Sequence, residues 1–168
     1  MEEITRKVMK QLGFNNSPFN IEFFYDKEKD TISLLEINPR MSQSHAEMYH
    51  QTHGHSNHQV LVKLALNEKP HFRNLEGKYE YAAKIQYRVF EDGRIKSVPD
   101  SKKIKALEEK YDDTIIKIDV EEGQKLSEIP LQDSYSYSLG VVMTAANSKE
   151  ELLQKYDQII DELKIEIE

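Results

Sequence analysis

The amino-acid sequence predicts an α+β fold, an antiparallel sheet with helices packed on it. Three observations carry that prediction. Two short apolar strands face each other across a charged turn between Asn20 and Asn38, a second group of strands follows residue 77, and amphipathic helical periodicity marks both ends of the chain.

Composition narrows the class before any element is placed. At 168 residues, 38% hydrophobic and 32% charged, the chain suits one domain or a domain plus an appendage with a buried core. It contains no long apolar run, so no membrane span is expected. The absence of cysteine excludes disulfides and Cys-based zinc sites and fits a reducing compartment. The start "MEEITRKVMKQLGF" is charged and amphipathic without a hydrophobic signal core, and a cytoplasmic location is the expectation. A net charge of −7 without a basic run argues against nucleic acid as a partner. An anionic ligand would have to be recruited by particular groups or by a bound cation.

The first helix is expected over Glu2–Leu12, with Ile4, Val8, Met9 and Leu12 facing inward and Gly13 ending it. "NIEFFYD" and "TISLLEIN" read as paired strands. The following "SHAEMYHQTHGHSNHQVLVKLALNEK" reads as a loop and then a helix through Val60, Leu61, Leu64 and Ala65 that stops before Pro70. A change of composition near Gly77 divides the chain into 1–76 and 77–168. In the second part "YEYAAKIQYRVF" and "RIKSVP" are strands joined through Asp92-Gly93, a hairpin signal. A short helix around Ile104–Tyr111 and the strands "TIIKIDV" and "SYSLGVVMTAA" come next, with Tyr79, Tyr81, Tyr135 and Tyr137 read as filling sheet positions. Ser148 and Glu151 form an expected capping box for a last helix whose inward stripe is Leu152, Leu153, Tyr156, Ile159, Ile160 and Leu163.

The hairpin holds the chemistry. By the two-residue period Asn20, Glu22, Phe24 and Asp26 share one face of the first strand, and Ile32, Leu34, Glu36 and Asn38 share one face of the second, with Arg40 continuing it. Placing Glu22 directly opposite Glu36 leaves a three-residue loop, Glu28–Asp30, which is a common hairpin length. Like charges opposed across a ladder are destabilising by roughly 0.2–1 kcal/mol. A divalent cation would supply a reason for them, because Mg²⁺ takes hard oxygen ligands, commonly one or two carboxylates plus substrate phosphates. Asn38 adds an amide oxygen, and the planar guanidinium of Arg40 suits paired hydrogen bonds to a phosphate or carboxylate. The bland alternative is a solvated charged hairpin beside Lys27 and Lys29.

"NIEFFYD" followed by "LLEINPRMSQSH" resembles the late nucleotide and metal motif of the ATP-grasp superfamily, the group of biotin carboxylase, carbamoyl phosphate synthetase and many carboxylate-amine ligases. The resemblance implies that Glu22, Glu36 and Asn38 bind the Mg²⁺ (or Mn²⁺) ions bridging ATP phosphates, and that Arg40 joins them in cofactor binding and faces the acyl-phosphate chemistry as the catalytic residue. It further implies the C-terminal portion of an ATP-grasp fold. Residues 1–76 would be the C-terminal half of the ATP-grasp domain and 77–168 the α+β region found in carboxylate-amine ligases. A complete enzyme of this kind also has a pre-grasp domain and an earlier grasp subdomain with phosphate-binding lysines. The expectation is therefore a C-terminal part of a longer ligase, inactive and weakly metal-binding alone, whose partners are ATP, a small carboxylate and an amine-type substrate. Ser42 and Ser44 stand where biotin carboxylase carries Gln and Glu, which removes support for bicarbonate as substrate. Oligomerisation is left open.

Two rivals remain. Five of the six histidines lie between His45 and His58, a tract of the kind that binds zinc, copper or nickel, although its spacing matches no catalytic zinc pattern. A noncatalytic binding or assembly module derived from an ATP-grasp protein is the other.

Overall fold

The computed structural model describes every residue except 72–74, 131 and 134. Helix α1 (Glu2–Gln11) begins with Glu2 and Glu3 and ends near Lys10, charges that complement the helix dipole. Its inward stripe is narrower than the periodicity predicts: Met9 is buried, whereas Ile4 and Leu12 are exposed. Strands β1 (Asn20–Asp26) and β2 (Thr31–Asn38) pair antiparallel as a two-stranded sheet of their own. No residue of either strand is fully buried.

The histidine-rich segment, expected as a loop, forms α2 (Ala46–His53). Gly54 ends it in the left-handed conformation, φ 75°, which favours glycine, and its N–H donates to the His50 carbonyl. Weak amphipathicity hid this helix in the sequence. Helix α3 (Asn57–Ala65) follows, opened by a Ser56–Gln59 capping box.

The second part is built on a three-stranded antiparallel sheet, with β6 (Tyr137–Ala146) between β3 (Tyr81–Val89) and β5 (Ile115–Ile118). Central strands are buried on both faces, and β6 accordingly reads as a nearly continuous apolar run. Helices α4 (Ser101–Lys110) and α5 (Lys149–Leu163) pack on it around Leu107, Ile116, Val142, Ile159 and Leu163. A second core of Ile95, Val120, Leu126 and Leu139 lies beside the short pair β4 (Ile95–Ser97) and β7 (Glu166–Ile167).

The Asp92-Gly93 hairpin is corrected by these pairings, because β3 takes β6 and β4 takes the final strand β7. The Asp92 carboxylate accepts instead from the Gly93 and Ser127 N–H groups at 2.9 and 3.0 Å. The capping box of α5 is also modified. Ser148 Oγ accepts from the Glu151 N–H at 3.1 Å, but the Glu151 carboxylate reaches the Asn147 N–H, one residue further back. Leu152, Ile159 and Leu163 of the predicted stripe are buried, whereas Leu153 is exposed. Tyr81 and Tyr137 occupy strands, Tyr79 precedes β3, and Tyr135 stands exposed before β6.

Helix α2 joins the two parts by lying against β3 and β6. Gly77 and Tyr79 donate their N–H groups to the Thr52 and Gln51 carbonyls, both at 3.1 Å, which satisfies the end of α2 with the chain entering β3. Among the described residues no helix is long and apolar enough to cross a membrane.

Candidate functional site

The β1–β2 turn is held by its own polar side chains. Asp26 Oδ1 accepts from the Glu28 and Lys29 N–H groups at 3.0 and 3.1 Å, and those bonds, the Lys29 backbone foremost, hold its carboxyl below the usual carboxylate range. Asp30 takes the left-handed conformation, φ 48°, and its carboxylate accepts from the Tyr25 hydroxyl at 2.9 Å. The turn comprises the four residues 27–30, because Asp26 pairs with Thr31.

From that end the ladder runs Tyr25–Ile32, Phe24–Ser33 and Phe23–Leu34, and then shifts. Leu35 is the extra residue of a β-bulge, beyond which Glu22 pairs with Glu36, Ile21 with Ile37 and Asn20 with Asn38. The direct opposition of the two glutamates agrees with the sequence reading. The three-residue loop and the unbroken alternation of β2 do not. Directly paired residues share a face, so Ile32 and Leu34 join Tyr25 and Phe23, and Glu36 joins Glu22, Asn20 and Asn38. The bulge thus separates the apolar residues of β2 from its polar ones, an outcome that strict period-two counting misses.

On the polar face the Asn38 amide nitrogen donates to Glu36 Oε1 at 2.5 Å, which orients both side chains and keeps the amide oxygen as a donor atom for a cation. The Arg40 N–H closes a tight turn onto the Asn38 carbonyl at 2.7 Å across Pro39. Arg40 and Glu22 line one open depression with Asn20, Ser42, Ser44 and His45. Glu22, Glu36 and Arg40 are all exposed. The four predicted residues therefore lie along one end of the hairpin, three on a shared face and the fourth just past it. Asn20, opposite Asn38 on that face, is a further oxygen donor beside the predicted set.

The segment after Arg40 is ordered by its own hydrogen bonds. His45 Nδ1 lies 2.5 Å from Ser42 Oγ and 3.2 Å from Ser44 Oγ, and the two hydroxyls are 3.1 Å apart. Asn57, at the start of α3, donates from Nδ2 to the Ser42 carbonyl at 2.6 Å and holds this loop from 15 residues away. No sequence signal pointed to Asn57, since its partner is set by tertiary packing.

The remaining histidines do not converge. The Tyr49, His53 and His55 rings meet edge to face in succession, at 5.4 and 6.3 Å, while His55, His58 and His71 line a separate depression beside α3. Among the described residues no group of three or more His, Cys, Asp or Glu side chains is arranged to hold a metal ion. The hairpin offers a smaller set, two carboxylates and amide oxygens, whose hard-oxygen chemistry fits Mg²⁺ bound jointly with phosphate oxygens.

Residues 1–71 match the family described as the carbamoyl-phosphate synthase L chain, ATP binding domain. No curated protein matches the sequence. Among solved structures the fold is similar to an L-amino acid ligase from Bacillus licheniformis, with a TM-score of 0.66 and 20% identity over 98% of this chain and 40% of that one. It is similar as well to the biotin carboxylase–β-γ-ATP complex from Campylobacter jejuni (TM-score 0.62, 16% identity, 98% of this chain and 35% of that one). The phosphoribosylaminoimidazole carboxylase ATPase subunit from Aquifex aeolicus matches with a TM-score of 0.57 and 19% identity, over 97% of this chain and 43% of that one. The chain thus spans less than half the length of each of these structures, and at such identities they establish the fold alone. The chain thus shares the fold of ATP-grasp structures over part of their length, and its residues 1–71 match the ATP-binding domain of the carbamoyl-phosphate synthase L chain.

Proposed function

We propose that this chain supplies the metal and phosphate end of an ATP-dependent carboxylate-amine ligase, or a related ligase, that works through an acyl phosphate. The observation that carries the reading is the register: Glu22 directly opposite Glu36, with Asn38 on the same face and Arg40 one turn beyond. Opposed carboxylates disfavour the hairpin until a cation neutralises them, and the family match over residues 1–71 gives that cation a nucleotide to accompany. Glu22, Glu36 and Asn38 would hold Mg²⁺ or Mn²⁺. When bound with ATP, the metal supplies charge neutralisation at the transferring phosphoryl group.

The protein's own residues orient and balance charge. The Asn38–Glu36 hydrogen bond sets the carboxylate before any ligand arrives, so little reorganisation is needed on binding. Arg40 is the catalytic residue in this reading: its guanidinium would face the carboxylate that becomes the acyl phosphate and the oxygens that develop charge during transfer. Pro39 stiffens the link between ligand set and guanidinium. Residues 1–76 carry this end of the site and residues 77–168 brace it.

The test uses the purified chain and the paramagnetic ion Mn²⁺ with ADP, read by amide NMR line broadening. Broadening centred on Glu22, Glu36 and Asn38, reduced at least tenfold in apparent affinity by Glu36→Gln with the spectrum otherwise retained, is the expected result. Broadening that ignores this substitution, or that centres on the histidines, would reject Glu36 as a ligand.

A second reading, an assembly module derived from the same fold, draws on one observation. Phe24, Tyr25, Leu34 and Leu35 of the hairpin are 64, 51, 44 and 52% exposed, apolar side chains left open to a partner on the two faces of the ribbon. The absence of any Mn²⁺–ADP effect would favour it.

A further inference from the structure

Two depressions meet at the loop that follows Arg40. The first, of about 530 Å³, is polar and holds Arg40, Glu22 and Ser44. The second, of about 390 Å³, is lined on its apolar side by Phe19, Ile21, Tyr49 and Val60. Asn20, Met41, Ser42 and His45 line both. The wall between them is therefore the start of β1 at Asn20 together with the short segment Met41–His45, which is held by the Asn57–Ser42 bond and internally by the Ser42–His45 bond.

We infer that the two depressions form one substrate site, and that the acid recognised there is a carboxylate bearing a branched aliphatic or aromatic side group. This rests on the ligase reading above and names its substrate class. Arg40 supplies the charge that a carboxylate needs, and the Ser42 and Ser44 hydroxyls beside it are hydrogen-bonding groups of matching size. The apolar cup opens on the far side of Ser42, where a group a few bonds from the carboxyl carbon comes to rest. Its walls come from three places: Phe19 and Ile21 from the entry to β1, Tyr49 from α2, and Val60 from α3. Apolar side chains brought together from separate elements around a half-open hollow gain by covering one another with a ligand. A very small acid would leave that cup wet. An apolar molecule without the carboxylate would leave Arg40 unmatched.

The experiment titrates the purified chain with acetate, 4-methylpentanoate, 3-phenylpropionate and 3-phenylpropanol, following amide and methyl resonances by NMR. The expected result is at least tenfold tighter binding of the two larger acids than of acetate, about 1.4 kcal/mol. The same ligands should shift the resonances of Ser42 and Ser44 and the methyls of Ile21 and Val60. Tyr49→Ala, at a partly exposed position, should narrow the preference over acetate, and Arg40→Ala should bring 3-phenylpropionate down to the affinity of 3-phenylpropanol. Equal binding of acetate and 3-phenylpropionate overturns the inference, as does equal binding of 3-phenylpropionate and the alcohol to the unsubstituted chain. Size-selective acid binding without Mn²⁺–ADP broadening upholds the two-part acid site and overturns the nucleotide reading. Broadening together with indifference to acid size upholds the nucleotide reading and sinks the acid site.

Discussion

Replacing Gly77 by alanine tests how the two parts of the chain are joined. A Cβ there would stand 2.1 Å from the Gln51 carbonyl oxygen, 2.4 Å from the Thr52 carbonyl carbon and 2.7 Å from the Gln51 carbonyl carbon. All three are backbone atoms of α2, so no side-chain rotation relieves the contact. Separation by about 1 Å is needed to restore ordinary contact distances, and it stretches the Gly77–Thr52 and Tyr79–Gln51 hydrogen bonds, each 3.1 Å, beyond useful length. Two such bonds contribute about 1 kcal/mol each, and forcing extra volume into a packed contact costs about 1–3 kcal/mol. The lower entropy of an unfolded chain carrying alanine offsets about 0.4–1 kcal/mol. The net expectation is a loss of about 2–4.6 kcal/mol, measured by urea unfolding followed by circular dichroism. Gly123→Ala is the comparison, since Gly123 has φ 85° with nothing within 4 Å of its added Cβ; left-handed strain alone is worth about 1–2 kcal/mol. Faster amide exchange along α2 should accompany the loss at Gly77. A Gly77→Ala protein within 0.5 kcal/mol of the unsubstituted chain, with α2 exchange unchanged, would refute the proposed docking of α2 through this glycine.

Other outcomes follow from the same interactions. Asp113 accepts from Lys78 Nζ at 2.5 Å and from the Tyr79 hydroxyl at 2.9 Å, and the lysine bond above all holds its carboxyl below the ordinary 3.8. A depressed folded value means that the stability from this group is complete above 3.8 and is lost as the pH falls through the lower folded value. Urea midpoints should therefore decline over that acid range in the unsubstituted chain and decline less in Asp113→Asn; equal slopes would count against the ion pair. Leu163→Ala, at a side chain with no exposed surface, should cost about 2.5–5 kcal/mol in the same unfolding measurement, and a loss under 1 kcal/mol would mean that α5 is not seated in the core as described.

The candidate site was more legible than the sheet. Glu22, Glu36, Asn38 and Arg40 sit within one hairpin and its exit, so a local count of residues could oppose the two glutamates correctly. That count still placed the turn one residue short, because the bulge at Leu35 and the Asp26-centred turn exchange a residue between the two ends of the ladder. Asn57 was not legible at all, since it reaches the site through tertiary packing, by a hydrogen bond to a carbonyl 15 residues earlier and by lining the second depression. Helix α2 was missed for a different reason: its histidines and polar residues carry little periodicity, and its face is set by burial against β3 and β6.

Local chemistry settled most of the strands and helices, α2 excepted, and the opposition of Glu22 and Glu36, since those choices depend on neighbours within a few positions. Partners of distant strands were settled only in three dimensions. Asp92-Gly93 has the residues of a hairpin turn, yet β4 joins the end of the chain and β3 joins β6, because those pairings bury Ile95, Leu139 and Val142 where a local hairpin would not. Turn preference is worth little against the burial of whole side chains, and that difference in scale separates what could be read along the chain from what had to be folded.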